Sequence, residues 1–268
     1  MKNAPRATLF LTVLLASSTL HADGDRPVKQ GQDLRPVLAK LFETARESGA
    51  LKRVLGERYY HYVRSGGDEK VLVTVKGSLD DPESPTSYRC DVELRTQGGM
   101  REETTTFTCD VALTGEIQRL SFRLVRGRAR IESEGAVQDG KLRLTVRSTQ
   151  GGEPSTESKE LSWGPDVLPF SLAVFVIPAL CDQGLPEALT FRAFHHARLQ
   201  ANRSTSELTV STLGGVRTLS MTQFVLMQPP VTVTVAEGGV LKEIQLAEHD
   251  RLAPISADEA ARLRGDAD

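Results

Sequence analysis

The sequence predicts a mainly β protein: a large curved antiparallel meander wrapped around one apolar helix, with helices at the N- and C-terminal ends. Three observations carry that prediction. From about Arg58 onward, apolar and polar residues alternate in short runs broken by Gly, Asp, Ser and Pro, the period-two signature of half-buried strands. One stretch, residues 166–182, shows almost no polar face and must be enclosed by the rest of the chain. Finally, 268 residues that are 39% hydrophobic and 25% charged have the makeup of a globular protein, which excludes disordered, collagen-like and multi-pass membrane classes.

The first 22 residues stand apart. Lys2 and Arg6 precede the apolar run Ala7 to Ala16, and small and polar residues follow as far as Leu20-His21-Ala22, the pattern of a secretory signal peptide. A retained N-terminal anchor is the alternative, but the run is short of the roughly 18 residues a spanning helix needs, and no other segment reaches that length. The expectation is an exported protein, periplasmic or extracellular, with no transmembrane segment in its mature chain. Beyond residue 22 the chain carries 31 basic and 35 acidic residues, a net charge of −4, so no basic surplus favours nucleic acid.

A helical segment, residues 23–57, opens the mature chain. Leu34, Val37, Leu38, Leu41, Phe42 and Ala45 recur at three- and four-residue spacing, with Asp33 as N-cap, Pro36 in the first turn and Gly49 at the end. Strands are expected at 58–64, 70–77, 86–95, 104–113, 117–126, 128–136, 141–148 and 157–163. Asp139-Gly140 suits a two-residue hairpin turn with positive φ at both positions.

Two of the three cysteines, Cys90 and Cys109, lie in matching contexts, Arg-Cys-Asp-Val-Glu-Leu and Thr-Cys-Asp-Val-Ala-Leu. A hairpin turning at Gly99-Met100, or over Gly98 to Arg101, places them opposite one another. The same register sets Tyr88 against Val111 and Val92 against Phe107, which leaves Asp91, Glu93 and Arg95 on the other face. Facing Cα atoms in such a pair lie about 4.5–5.5 Å apart, within disulfide range, and an exported chain meets oxidising conditions. A disulfide staple is therefore expected. No C-x-x-C spacing supports a redox switch. Cys181 is left over, as a small buried hydrophobe.

The apolar stretch runs Asp166-Val-Leu-Pro-Phe-Ser-Leu-Ala-Val-Phe-Val-Ile-Pro-Ala-Leu-Cys181. Pro169 fits the first turn of a helix and Pro178 ends or kinks it about two turns later; a buried strand over 172–177 is the alternative. Period two then returns at 187–194, 198–203, 206–213, 217–226, 230–236 and 240–247. Gly214-Gly215 pairs Val210 with Leu219 and Leu208 with Met221, and Gly238-Gly239 pairs Val233 with Ile244 and Val231 with Leu246. Ser256-Ala257-Asp258-Glu259 is a capping box that opens a short helix within 251–268. Residues 58–250 read as a single β domain.

Signal peptide, N-terminal helix, long meander, Asp166-Val167-Leu168-Pro169-Phe170-Ser171-Leu172-Ala173, Leu185-Pro186-Glu187-Ala188-Leu189-Thr190-Phe191 and Glu237-Gly238-Gly239-Val240-Leu241 together give a layout that resembles bacterial extracytoplasmic proteins related in fold to the periplasmic lipoprotein carriers. The resemblance covers about residues 58–250. It implies a β half-barrel over a helical lid, with a cavity between them for acyl chains or a protein partner.

No H-E-x-x-H, G-x-S-x-G, G-x-x-x-x-G-K-[ST] or G-x-G-x-x-G occurs, so no catalytic residue, cofactor or metal is assigned. His195-His196 point to opposite faces of a strand and make a poor metal pair. Glu248-His249-Asp250 lies in a polar loop. Tyr59-Tyr60-His61-Tyr62 places Tyr60 and Tyr62 on one face, where they join Phe170 and Phe175 as candidate ligand-binding residues. The favoured reading is a non-enzymatic protein whose half-barrel cleft binds an acyl chain, a hydrophobic peptide or an envelope protein. The alternative is an extracytoplasmic hydrolase or glycan-active enzyme with a dispersed site, for which His195 or His249 should sit in a pocket beside a carboxylate or hydroxyl.

Overall fold

The computed structural model describes residues 31–64, 70–97, 102–149, 154–180, 188–195, 200–201, 206–213, 216–223, 231–235, 239–247 and 250–265. Residues 31–34 lead into helix α1 (Arg35–Glu47), and a 3-10 turn, Ala50–Val54, follows it. Eight strands come next: β1 (Gly56–Arg64), β2 (Lys70–Leu79), β3 (Ser87–Gln97), β4 (Glu103–Ala112), β5 (Ile117–Arg126), β6 (Ala129–Gln138), β7 (Lys141–Ser148) and β8 (Ser155–Ser162). Each pairs antiparallel with the next. A three-residue strand, β9 (Val167–Pro169), leads into a π-helical turn over Leu172–Val176 and helix α2 (Ile177–Leu180). The second half comprises β10 (Ala188–His195), β11 (Gln200–Ala201), β12 (Ser206–Leu213), β13 (Val216–Gln223), β14 (Val231–Val235), β15 (Leu241–Ala247) and β16 (Asp250–Ile255), and it ends in helix α3 (Ala257–Arg264).

All the strands belong to one sheet. The two halves join where β16 pairs with β1, from Tyr59 opposite Ile255 to Arg64 opposite Asp250. The expected last strand at 240–247 is thus followed by one more, which takes Asp250 out of the polar loop the sequence suggested; Glu248 and His249 lie outside the described residues. Pro254, which cannot donate to a ladder, sits past the β15–β16 pairing, opposite Tyr60 of β1. The sheet is antiparallel throughout except that β9 runs parallel to β10, with Arg192 opposite Val167 and Phe194 opposite Pro169.

Period two translates into two faces. Inward positions of neighbouring strands form rows such as Tyr60, Val73, Leu94 and Thr105, or Gly77, Cys90, Cys109 and Leu120. The outward face carries charge ladders, among them Lys141 and Arg143 on Glu160 and Arg123 on Glu132. Such exposed pairs contribute little stability each, but their charges keep the outer face wet. Helix α3 packs on that outer side of β1 and β2, where the Arg264 guanidinium lies 5.0 Å from the Tyr59 ring centroid. Its capping box forms as expected: Ser256 Oγ accepts from the Glu259 N–H, and the Glu259 carboxylate accepts from the Ser256 N–H.

The apolar stretch fills the inside. Every residue from Val167 to Leu180 is buried. The helix starts at 170 rather than 166, because Val167–Pro169 is claimed by β10. Its π turn has a specific cause. Proline at 178 has no N–H and its ring crowds the carbonyl four residues back, so the backbone widens, with the Ile177 N–H donating to the Leu172 carbonyl five residues earlier. Arg58, an inward residue of β1, donates from Nη1 to the Phe175 carbonyl at 3.1 Å within the π turn.

The closing seam of the sheet was not legible in the sequence. Among the described residues no ladder joins β8 to β9 or β10; the segment Gly31–Leu34 lies along the seam and is bonded to both sides. The Gln32 N–H donates to the Thr190 carbonyl on β10, and the Leu34 N–H to the Pro165 carbonyl, both at 3.0 Å. Between them Arg192 grips Asp166 through two bonds of 2.6 and 2.7 Å, and Asp166 also accepts the Gly31 N–H at 2.9 Å. Two glycines make room: a Cβ on Gly164 would lie 2.3 Å from Asp166 Oδ1, and one on Gly31 would lie 2.7 Å from the Thr190 oxygen. Burial pushes the Asp166 carboxyl up, but the Arg192 bonds and the Gly31 amide outweigh it and hold the group below the usual aspartate range.

Candidate functional site

The four side chains picked from the sequence are all in the core. Tyr60, Tyr62, Phe170 and Phe175 are 2, 5, 8 and 3% exposed. Tyr60 and Phe175 are brought together, with ring centroids 5.7 Å apart, so the first strand and the helix do meet as the pattern suggested. Phe170 instead stacks on His195 at 5.3 Å. His195 is therefore a core histidine packed on a phenylalanine, and His196, Cys181 and His249 lie outside the described residues. Tyr60, Tyr62, Phe170, Phe175 and His195 are not among the described residues that line the cleft described next.

That cleft, of about 780 Å³, opens at the end of the sheet beside the seam. Five pieces of backbone wall it, one of them β3 at Ser87. The first turn of α1 supplies Leu34 and Leu38. The β4–β5 connection supplies Gly115, Glu116 and Ile117, and β5 adds Gln118 and Arg119. The end of β6 and its turn supply Ala136, Val137, Gln138, Asp139 and Gly140. The segment after β8 supplies Trp163, Gly164, Pro165 and Val167.

Local chemistry explains why these pieces converge. Asp139 and Gly140 take φ of 51° and 70°, the tight turn expected from the Asp-Gly pair, and the Gly140 carbonyl accepts the Trp163 N–H at 2.8 Å. Gly115 has φ of 92°, and a Cβ there would lie 2.0 Å from the Arg35 carbonyl oxygen; only glycine lets that turn back directly onto the start of α1. Asp33 acts one position earlier than expected. The N-cap is Leu34, while Asp33 Oδ1 accepts the Arg35 N–H at 3.0 Å and its carboxylate also holds the Arg35 side chain. Trp163 is pinned from behind by Phe194, ring centroids 5.0 Å apart.

The result is an apolar floor of Leu34, Leu38, Ile117, Trp163 and Val167, all buried, under a rim of Arg35, Glu116, Gln118, Arg119, Gln138 and Asp139. One polar group stands out. Asp110 lines the cleft from β4, next to the point where the β4–β5 register shifts. Its Oδ1 is buried and has no hydrogen-bond partner; Arg89 Nε is nearest in ionic contact at 3.8 Å, and Arg119 lies opposite on β5. Burial pushes this carboxyl above the usual aspartate range, only partly countered by the two arginines. An unsatisfied buried acceptor in a cleft is a place for a ligand donor. Sequence reading missed it because Asp110 reads as an ordinary outward residue of an alternating strand, and the other pieces of chain that meet around it are distant in sequence.

The architecture has a counterpart among solved structures. The chain shares its fold with a β-barrel-like protein. The match is the crystal structure of a beta-barrel-like protein of domain of unknown function DUF1849 from Brucella abortus, at a TM-score of 0.50 and 9% identity, covering 76% of this chain and 97% of that one. No protein-family model and no curated protein matches the chain. At that identity the likeness shows the fold: a large antiparallel sheet curled in the manner of a barrel, as the alternation predicted.

Proposed function

We propose that the protein is a non-catalytic, exported binding protein for an amphiphilic acyl ligand, held in the cleft at the end of the barrel-like sheet. The cleft carries this reading. Its volume, about 780 Å³, is that of a small-molecule site, whereas a stable protein partner would need roughly 800 Å² of surface on each side. Its floor suits an apolar tail. The buried, unpaired Asp110 Oδ1 suits a head group that donates a hydrogen bond, a hydroxyl or an amide, and disfavours a carboxylate. The export pattern of residues 1–22 and the layout resembling lipoprotein carriers agree with a ligand of envelope chemistry.

Trp163, the chain's single tryptophan, lines the cleft and reports on it. Titrating the protein with a monoacylglycerol should change its fluorescence saturably, and Ala136→Trp, which fills the cleft from its wall, should raise the Kd at least tenfold while leaving the circular dichroism unchanged; to keep a single reporter, that variant is read by isothermal calorimetry. Saturable binding that Ala136→Trp leaves intact would place the ligand elsewhere, and no binding of any neutral acyl amphiphile would overturn the reading.

A further inference from the structure

We infer that Cys90 and Cys109 are joined in the exported protein by a cross-strand disulfide, and that this bond is made before the sheet closes over it. The register supplies the first half. Cys90 and Cys109 are direct partners on β3 and β4, both side chains are inward, and both are buried thiols here. Directly facing residues on antiparallel strands hold their Cα atoms within the span a disulfide bridges. Nothing stands between the two: the row they share continues to Gly77 on one side and Leu120 on the other.

Burial supplies the second half. Gly77 lacks a side chain because the turn over Ala50–Val54 presses onto it; a Cβ there would lie 1.7 Å from the Val54 carbonyl oxygen. Tyr88 closes the same place, its hydroxyl donating to that oxygen at 3.1 Å. Under this cover Cys90 is 1% and Cys109 0% exposed. Burial pushes the Cys90 thiol up to about 12 and raises the Cys109 thiol well above the ordinary range. Thiol–disulfide exchange needs a thiolate with access to the oxidant, and the folded interior offers neither.

Oxidation therefore belongs to the open chain. One cysteine thiolate attacks a small-molecule or protein disulfide, RS–SR, and expels one thiol RSH as a mixed disulfide forms. The second thiolate then attacks the cysteine sulfur and expels the other RSH. Two thiols have lost two electrons and two protons, and one RS–SR has become two RSH. Once the meander closes, the bond is as inaccessible to reductant as the thiols were to oxidant, which makes it a staple and excludes a sensor. It closes a loop of about 20 residues.

The test uses the full chain expressed in two ways, exported and retained in a reducing cytosol. Non-reducing peptide mapping of the exported protein should find Cys90 linked to Cys109. The cytosolic protein, folded and reduced, should resist hours of oxidised glutathione, then acquire the same link when refolded from urea in its presence, with a Tm higher by about 6–12 °C. Two outcomes would overturn the inference: exported protein whose Cys90 and Cys109 are both alkylated on denaturation without reductant, or a link from Cys181 to either. Rapid oxidation of the folded protein would overturn the order of events.

Discussion

Replacing Arg192 with methionine removes the cation from the seam and keeps most of its packing volume. Asp166, whose side chain is 4% exposed against 18% for Arg192, is then left as a buried carboxylate without its bidentate partner. Breaking a buried pair this way costs about 3–5 kcal/mol, and the partial exposure of Arg192 argues for the lower end, about 3 kcal/mol. In a chain of this size that lowers Tm by about 6–12 °C. Trp163 packs on Phe194, two residues from Arg192, so urea unfolding followed by its fluorescence reads the seam directly. The sign with pH is fixed as well. Asp166 is held below its ordinary value in the folded state, so its contribution is present above the unfolded pKa of about 4 and is lost as pH falls through the folded one. The gap between the wild type and Arg192→Met should therefore be full at pH 7 and shrink below pH 4. A loss under about 1 kcal/mol at pH 7, the range of exposed ion pairs, would refute the claim that this pair and the Gly31–Leu34 segment close the sheet.

Other positions give sharper or opposite outcomes. Gly77→Ala should cost at least 3 kcal/mol or abolish folding, measured by urea denaturation, since its Cβ overlaps the Val54 carbonyl. Arg58→Met should change stability by less than about 1 kcal/mol in the same assay: it loses one bond to the Phe175 carbonyl but removes the buried Nε and Nη2, which have no partner. Glu103, buried on the inner face 3.2 Å from Arg126, is held above the usual glutamate range by burial. Its neutral form is thus the better tolerated one, and Glu103→Gln should gain on the wild type as pH rises from 4 to 7 in thermal melts. Asp110→Asn should weaken monoacylglycerol binding several-fold by calorimetry without lowering Tm, because burial already penalises its charge.

What the sequence made legible was local. Val210 does pair with Leu219 and Leu208 with Met221, Val233 does face Ile244, and Cys90 faces Cys109, because a short connection and an apolar face leave one register. The β14–β15 register then shifts so that Val235 faces Leu241, where the two-residue turn expected at Gly238-Gly239 would have set it against Lys242. The capping box and the Asp139-Gly140 turn were readable for the same reason. Long-range pairings were not. Strand β16 carries Pro254 and hardly alternates, and it forms because β1 needs a partner. Val167–Pro169 has the composition of a helix start and is captured by β10. Asp166 and Arg192, 26 residues apart, show no spacing that announces an ion pair, and Asp110 borders a cleft whose other walls are distant in the chain. The site suffers most from this, since its walls come from five separate places in the chain.

Native mass spectrometry of the full exported protein, purified from its host without added lipid, tests the binding reading most directly. A reproducible neutral acyl adduct, present on the wild type and absent from Ala136→Trp, is the result expected. A protein that is bare in both, or an adduct that Ala136→Trp leaves in place, would contradict it.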